Sequence, residues 1–189
     1  GFRYGPSGSY SKGFDNGKKI SLDGVIDYGF NNKDLKGSLG TEFTYLPLKF
    51  GSVKVEAGDV FDMVNTYESL VGTFSPSNYV RKRFVAASHR MELFNGFYAK
   101  IGFDISDRQE VTDLKLPDWT YQIFPQQNTP QPFDRYKVSI FELNLVYRFK
   151  QKYVIKNNVK QIIGSKFPEL KLPNKKEGLT YLEVKSNLD

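Results

Sequence analysis

The chain of 189 residues has no cysteine, one histidine, two methionines and one tryptophan. Without cysteine there is neither a disulfide framework nor a thiolate metal ligand, and one histidine is too few for a zinc site. No apolar run approaches the roughly 20 residues of a membrane-spanning helix. We therefore expect no metal, no cofactor and no transmembrane helix.

A leader and a strong charge bias are also missing. The chain starts at Gly1 with no basic and apolar leader, so we expect that a leader has been removed or that this is an excerpt of a longer protein. Lysine and arginine number 27 against 21 aspartates and glutamates, which gives a modest charge of +6. Such an excess does not require nucleic acid, and we expect no nucleic-acid partner.

Aromatic residues are abundant. They form 15% of the chain, with 16 phenylalanines and 12 tyrosines, although the mean hydropathy is only -0.48. A disordered chain would be poor in aromatics, and a helical bundle would contain more alanine, leucine and methionine. The composition therefore favours a folded protein that is not a helical bundle.

Three early segments, 18–30, 35–45 and 53–58, alternate apolar and polar residues with a period of two. This period is typical of β-strands, because successive side chains of a strand point to opposite faces. Asn31-Asn32 and Pro47 stand between the segments as turn residues. We predict an all-β protein built as an antiparallel up-and-down meander.

The same alternation appears in segments 88–105 and 141–149. In the first of these it continues across Asn95-Gly96, where a two-residue turn would place Met91 opposite the charged Lys100. We therefore predict one long strand there and not a hairpin. The regions of about 59–87 and 107–136 lose the alternation and are predicted to be long loops, with a short helix near residues 62–70.

Two sets of residues follow from the alternation. The polar set, our candidates for lining a lumen, contains Asp23, Asp27, Glu42, Lys54, Glu56, Arg90, Glu92, Lys100, Asp104, Glu142 and Arg148. The apolar set, our candidates for facing lipid, contains Ile20, Leu22, Ile26, Phe43, Leu143 and Leu145. A soluble sandwich would turn the apolar set inward, whereas a membrane barrel would turn it outward, and periodicity alone does not separate them.

Several strings resemble those of a Bacteroidota outer-membrane family of unassigned function. They are Gly51-Ser52-Val53, Glu56-Ala57-Gly58, Phe94-Asn95-Gly96-Phe97, Gln151-Lys152-Tyr153-Val154-Ile155 and Ile162-Ile163-Gly164-Ser165-Lys166-Phe167-Pro168-Glu169-Leu170. The resemblance extends from about Leu39 to Val184 and implies a β-barrel that follows a carboxypeptidase-regulatory-like β-sandwich. That sandwich is absent from this sequence, and the chain does not end in the aromatic residue common in such barrels.

From this resemblance and the alternation we expect residues 1–189 to be one β-barrel domain or an excerpt of a larger barrel. The expected location is the outer membrane, and the expected role is non-enzymatic: transport, assembly or surface attachment. Expected partners are outer-membrane lipid, with other envelope proteins or surface glycans as further candidates. The alternative is a soluble antiparallel barrel or sandwich that binds a small molecule or glycan.

Catalysis has one weak candidate, the adjacent Ser88 and His89. Neighbouring residues of a strand point to opposite faces, so this pair cannot act as nucleophile and base. We expect no enzymatic activity and place His89 at a rim or at the lipid interface. The basic run Arg81-Lys82-Arg83 is either a phosphate contact or a solvated group of charges.

Overall fold

A computed structural model describes residues 3–30, 33–63, 79–111, 134–171 and the backbone of 181–187. The strands in these ranges are β1 (Arg3–Tyr4), β2 (Ser7–Gly13), β3 (Lys19–Gly29), β4 (Asp34–Leu46), β5 (Gly51–Met63), β6 (Tyr79–Phe94), β7 (Phe97–Glu110), β8 (Tyr136–Arg148), β9 (Lys152–Lys156), β10 (Val159–Gly164), β11 (Glu169–Lys171) and β12 (Tyr181–Asn187). A 3₁₀ turn, Pro47–Lys49, joins β4 to β5. The all-β prediction is confirmed.

The main sheet is an antiparallel meander in which β3 to β8 pair in chain order. β1 and β2 both pair with β3, while β11 and β12 both pair with β8. β9 and β10 form a separate two-stranded sheet. The predicted meander is therefore correct, and each of its six long strands pairs with a neighbour on both sides.

The two ends of the main sheet differ. Short connections at 14–18, 47–50, 95–96 and 149–151 lie at one end, which we call the short-turn end. The ends of β5, β6, β7 and β8 that flank residues 64–78 and 112–133 lie at the other, which we call the long-loop end. The bulk of the helix predicted near residues 62–70 lies outside the described residues.

The prediction of one strand across Asn95-Gly96 is wrong, because β6 and β7 form a hairpin there. A register shift between Glu92 and Phe94 inserts one extra residue, so Met91 pairs with Ala99 and not with Lys100. Such a bulge moves one strand by one residue relative to its partner. It removes the mismatch on which the prediction rested, and it keeps the apolar residues of both strands on one face.

The two predicted loops also include residues that belong to the ends of the flanking strands. β5 continues to Met63 and β6 already begins at Tyr79, so residues 59–63 and 79–87 belong to strands. β7 likewise continues to Glu110. Charged residues interrupt the apolar alternation here, which is why these strand ends read as loop in the sequence.

The two faces of the main sheet differ in exposure. Along β5, β6 and β7, exposed residues alternate with half-buried or buried ones, and the exposed positions include Val53, Val55, Val85, Phe103 and Ile105. We call their side the outer face and the opposite side the inner face. Ile26 is 54% exposed and Leu39 66% exposed on the outer face. The apolar side chains of the main sheet thus mostly point away from the protein interior.

A small apolar layer lies on the inner face near the long-loop end. Val80, Val138 and Ile140 are buried there, and Ser106 is buried beside them. Phe84 shares this face and stands over Gly58, where a Cβ atom would come within 2.9 Å of its ring. The face that carries the polar set therefore also carries the buried apolar residues of the sheet, which the alternation in the sequence did not predict.

Candidate functional site on the inner face

The candidate lumen residues all lie on the inner face according to the strand register. Glu92 is buried, Asp23 and Arg90 are exposed, and the others are half-buried. Cross-strand pairing places β5 to β8 side by side, so the middle members of the set come together. They form the first of two zones along the inner face, and a separate ion cluster lies at the long-loop end.

The middle zone is a cavity of about 240 Å³ between β5 and β8. Lys54 binds Glu56 at 2.8 Å and Lys100 lies 3.5 Å from Glu142, both on the cavity wall. Small side chains, among them Ser88, leave the space that these longer side chains line. The zone is a polar chamber whose charges are paired across or along strands.

Asp104 joins this chamber to the apolar layer. Its Oδ2 accepts a hydrogen bond from Lys82 at 3.0 Å, while its buried Oδ1 has no protein donor among the described residues. A buried carboxylate oxygen without a donor is costly and favours a hydrogen-bonding water or solute. The chamber balances positive and negative groups, so its chemistry suits small polar solutes without strong charge selection.

The second zone is a buried polar network at the short-turn end. Glu92 accepts hydrogen bonds from the backbone of Gly96 at 2.9 Å and from Gln151 at 3.0 Å, and it also forms a salt bridge with Lys160. Gln151 in turn accepts from the Tyr98 hydroxyl at 2.8 Å. Glu92 and Lys160 are only 3% and 6% exposed. The network attaches β10 to the end of β6.

The tip of the β9–β10 hairpin crosses to other turns of the same end. A Cβ atom on Gly17 would lie 3.0 Å from the carbonyl oxygen of Asn158, 3.1 Å from Pro47 and 3.2 Å from Val159. Pro47 belongs to the β4–β5 connection and Gly17 to the β2–β3 turn. The hairpin therefore reaches from β6 and β7 across to β3 and covers the short-turn end of the inner face.

An ion cluster lies at the long-loop end, where Asp59 of the outer face meets Lys36 of the inner face. Asp59 accepts hydrogen bonds from Lys36 at 2.6 Å, Arg81 at 2.9 Å and Arg83 at 3.0 Å. Lys36 is only 3% exposed, so this contact neutralises a buried ammonium group. Two members of the basic run predicted at Arg81-Lys82-Arg83 thus bind a carboxylate of their own chain.

A row of charges crosses the outer face at the same level. The register pairs Asp59 with Arg83, Arg83 with Asp107, and Asp107 with Lys137. Arg135 adds a hydrogen bond to Asp107 at 2.9 Å. Two residues closer to the sheet centre, the outer-face residues of the same strands are Ala57, Val85 and Ile105. The apolar part of the outer face therefore ends abruptly at this row of alternating charge.

The candidate lipid-facing residues all lie on the outer face. Leu22, Ile26 and Phe43 are exposed, whereas Ile20, Leu143 and Leu145 are half-buried by their neighbours. This face is apolar across the middle of the sheet.

Aromatic side chains cluster at both ends of the outer face. At the short-turn end, the Phe94 and Phe97 rings stack with centroids 4.8 Å apart, and Tyr147 and Phe149 lie 4.3 Å apart. At the long-loop end, Tyr28 meets the edge of Phe30 at 5.4 Å. The outer face is therefore apolar in its middle and aromatic at both ends.

Ser88 and His89 point to opposite faces. Ser88 lines the inner chamber, whereas His89 stacks on Tyr45 with ring centroids 5.9 Å apart and shares a hydrogen bond of 2.6 Å with its hydroxyl. The two side chains are not brought together. The described residues contain no cluster of potential metal ligands.

A partly exposed ion pair joins the end of β8 to β11. Arg148 donates a hydrogen bond to Glu169 of β11 at 2.6 Å and lowers the pKa of that carboxyl from its usual value of 4.5. Arg148 was predicted to face a lumen, and its guanidinium also lies over the Tyr98 ring, 5.3 Å from the centroid. It thus links β11 to the buried network.

The chain matches a family model over residues 1–185, described as the C-terminal domain of a family of unknown function, DUF5686. The chain belongs to this family. No curated protein and no solved structure matches it. In the part of the chain that the structure describes, no helix has the length and apolarity needed to cross a membrane.

Sequence reasoning missed three features of the site. Lys160 and Gln151 were not among the candidates, because the contacts they make lie more than 50 residues away along the chain. Asp59 was read as loop. A signal for Asp59 did exist, since it continues the parity of Val53, Val55 and Ala57, and opposite charges at the same level of β6 would have suggested pairing.

Proposed function

We propose that this chain forms the membrane-embedded sheet of an integral outer-membrane β-barrel protein. In this proposal the protein is not an enzyme and passes small polar solutes along its inner face. One observation carries the proposal: large apolar side chains are exposed on the outer face while charged ones are buried on the inner face. A water-soluble sheet has the opposite arrangement, with its apolar face on the core.

The dimensions support the same proposal. β3 to β8 are 11 to 16 residues long, and a tilted strand needs roughly 9 to 11 to span a bilayer. The aromatic pairs at each end and the charge row at the long-loop end fit the two boundaries of the hydrocarbon layer. The short-turn end would then face the periplasm and the long loops the cell exterior.

The outer-membrane location and the Bacteroidota origin rest on the resemblance of the short strings, not on the fold. Solute passage is supported by the charge-balanced chamber between β5 and β8. The soluble alternative, with the aromatic parity turned inward around a ligand, is weakened by the exposure of Ile26 and Leu39. An assembly or attachment role would leave the chamber without a use.

Cell fractionation of the full-length protein tests the proposal. We expect it to stay with membranes after an alkaline carbonate wash, to need detergent for extraction, and to migrate differently on gels before and after heating. Recovery in the soluble fraction without detergent would contradict the membrane assignment. Solute influx into proteoliposomes, compared with empty liposomes, then tests passage separately.

A further inference from the structure

The β9–β10 hairpin is held to the main sheet in an unusual way. Among the described residues its strands pair only with each other, so no β-ladder joins it to β8 or to any other strand of the main sheet. Its attachment comes from side chains at two places. An element fixed in this manner separates from its support without breaking a ladder of backbone hydrogen bonds.

The first attachment is the network around Glu92. Lys160 binds Glu92 and also donates to Asn95 Oδ1 at 3.0 Å, and its ammonium lies 4.0 Å from the centre of the Tyr153 ring. Both members of the Glu92–Lys160 pair regain hydration if the hairpin leaves. For buried pairs, this hydration offsets much of the attraction that is lost.

The second attachment is the tip. A Cβ atom on Gly17 would lie 3.1 Å from Pro47 and 3.2 Å from Val159, so these two side chains stand on the same side of the Gly17 turn, and β10 contacts the Pro47–Lys49 turn. This contact is small, and most residues of β9 and β10 are exposed. The two attachments stand on either side of the short-turn end of the inner face, and the hairpin bridges the space between them.

We propose that the β9–β10 hairpin is a gate that closes the short-turn end of the inner face and opens when the Glu92–Lys160 pair separates. The role of this gate rests on the proposed function, because it regulates the passage of solutes from the chamber. Its geometry is independent of a bilayer. Closure places the hairpin across the route between the chamber and the short-turn side, and opening exposes Ser88 and the chamber to solutes from that side.

A single reporter cysteine tests the gate, because the natural chain has none. Ser88→Cys places a thiol in the chamber of the full-length protein, and its labelling rate with a bulky hydrophilic maleimide is measured in detergent. We expect Lys160→Met to raise the rate at least fivefold. The matched variant Lys160→Arg, which keeps the charge, should stay within twofold of the unsubstituted rate.

A locked gate provides the second measurement. Pro47→Cys with Val159→Cys, without the reporter, is joined by a short reducible crosslinker and assayed for solute influx in proteoliposomes. Locking should abolish the extra influx of Lys160→Met and lower that of the unsubstituted protein, and reduction should restore both. Should Lys160→Met fail to fold, as judged by heat-modifiable gel mobility, the locked protein without that change still gives the result.

The two proposals fail in different ways. An unchanged labelling rate in folded Lys160→Met, or an influx that locking does not alter, would overturn the gate while membrane insertion stands. A protein that is labelled as expected in detergent but does not insert into liposomes would leave the gate geometry intact and contradict the membrane proposal.

Discussion

The outer and inner faces of the main sheet are made by the same strands, yet they obey opposite rules. On the outer face, Ile26 and Leu39 are exposed, and charges appear only where the apolar part ends. On the inner face, Lys36 and Glu92 are buried and bind partners of opposite charge. The contrast teaches that the apolar side chains of this sheet contribute little to an interior core, while its charged side chains are paired on the inner face.

The comparison also bears on stability. Burial of apolar area usually supplies the main favourable free energy of folding, at about 25 cal/mol per Å². Here the buried apolar residues of the main sheet are a small layer, with Val80, Val138 and Ile140 at its centre. A sheet of this kind gains its hydrophobic stabilisation from whatever covers the outer face, and in our proposal that cover is lipid.

The strongest test of this contrast exchanges one residue on each face at mid-strand. Leu143→Arg places a charge on the outer face, where arginine at a bilayer midplane costs about 2 to 4 kcal/mol. We expect this variant to fail to fold into lipid vesicles, as judged by heat-modifiable mobility. The neighbouring inner-face variant Glu142→Gln is the control and should fold. If Glu142→Gln fails and Leu143→Arg folds, the two faces are assigned the wrong way round.

Alternation in the sequence was enough to predict the two faces of β3, β4 and β5. It was not enough at Asn95-Gly96, because a continuous parity fits both one long strand and a hairpin with a one-residue bulge, and local turn geometry decides between them. The bases of the long loops were missed for another reason. Asp59, Arg83 and Asp107 look like loop residues singly, and only cross-strand register turns them into a charge row.

The gate could not have been predicted from the sequence. Lys160 and Glu92 are 68 residues apart, and no periodicity links a lysine in a short strand to a glutamate in another sheet. The strings that carry the family resemblance include Phe94-Asn95-Gly96-Phe97 and Gln151, which meet at this network. The family resemblance thus included residues of the buried network without indicating that they contact one another.

A second test compares a glycine on each face. A Cβ on inner-face Gly58 would lie 2.7 Å from Ser38 and 2.8 Å from the carbonyl oxygen of Gly37, both too close. On outer-face Gly24, the nearest contact would be an ordinary 3.4 Å to Leu39. Gly58→Ala should therefore lower the free energy of unfolding by about 1 to 3 kcal/mol. Gly24→Ala should change it by no more than about 0.5 kcal/mol.

Urea unfolding in detergent, followed by tryptophan fluorescence, measures both glycine variants under the same conditions. Equal midpoints would mean that the inner face is as loosely packed as the outer one. That result would weaken the distinction between a crowded inner face and an open outer face.

The smallest expected change in stability comes from the partly exposed Arg148–Glu169 pair at the short-turn end, in contrast to the buried Glu92–Lys160 pair. Arg148 holds the pKa of Glu169 below its usual 4.5, so the pair stabilises the fold above about that pH and the contribution is lost as the pH falls through the lower folded value. Because water screens this partly exposed pair, Glu169→Gln should cost at most about 1 kcal/mol at pH 7. Urea midpoints of the two proteins should therefore differ slightly at pH 7 and converge as the solution is made acidic enough to protonate Glu169 in the folded protein. A difference that persists or grows in acid would show that Glu169 acts through packing and not through its charge.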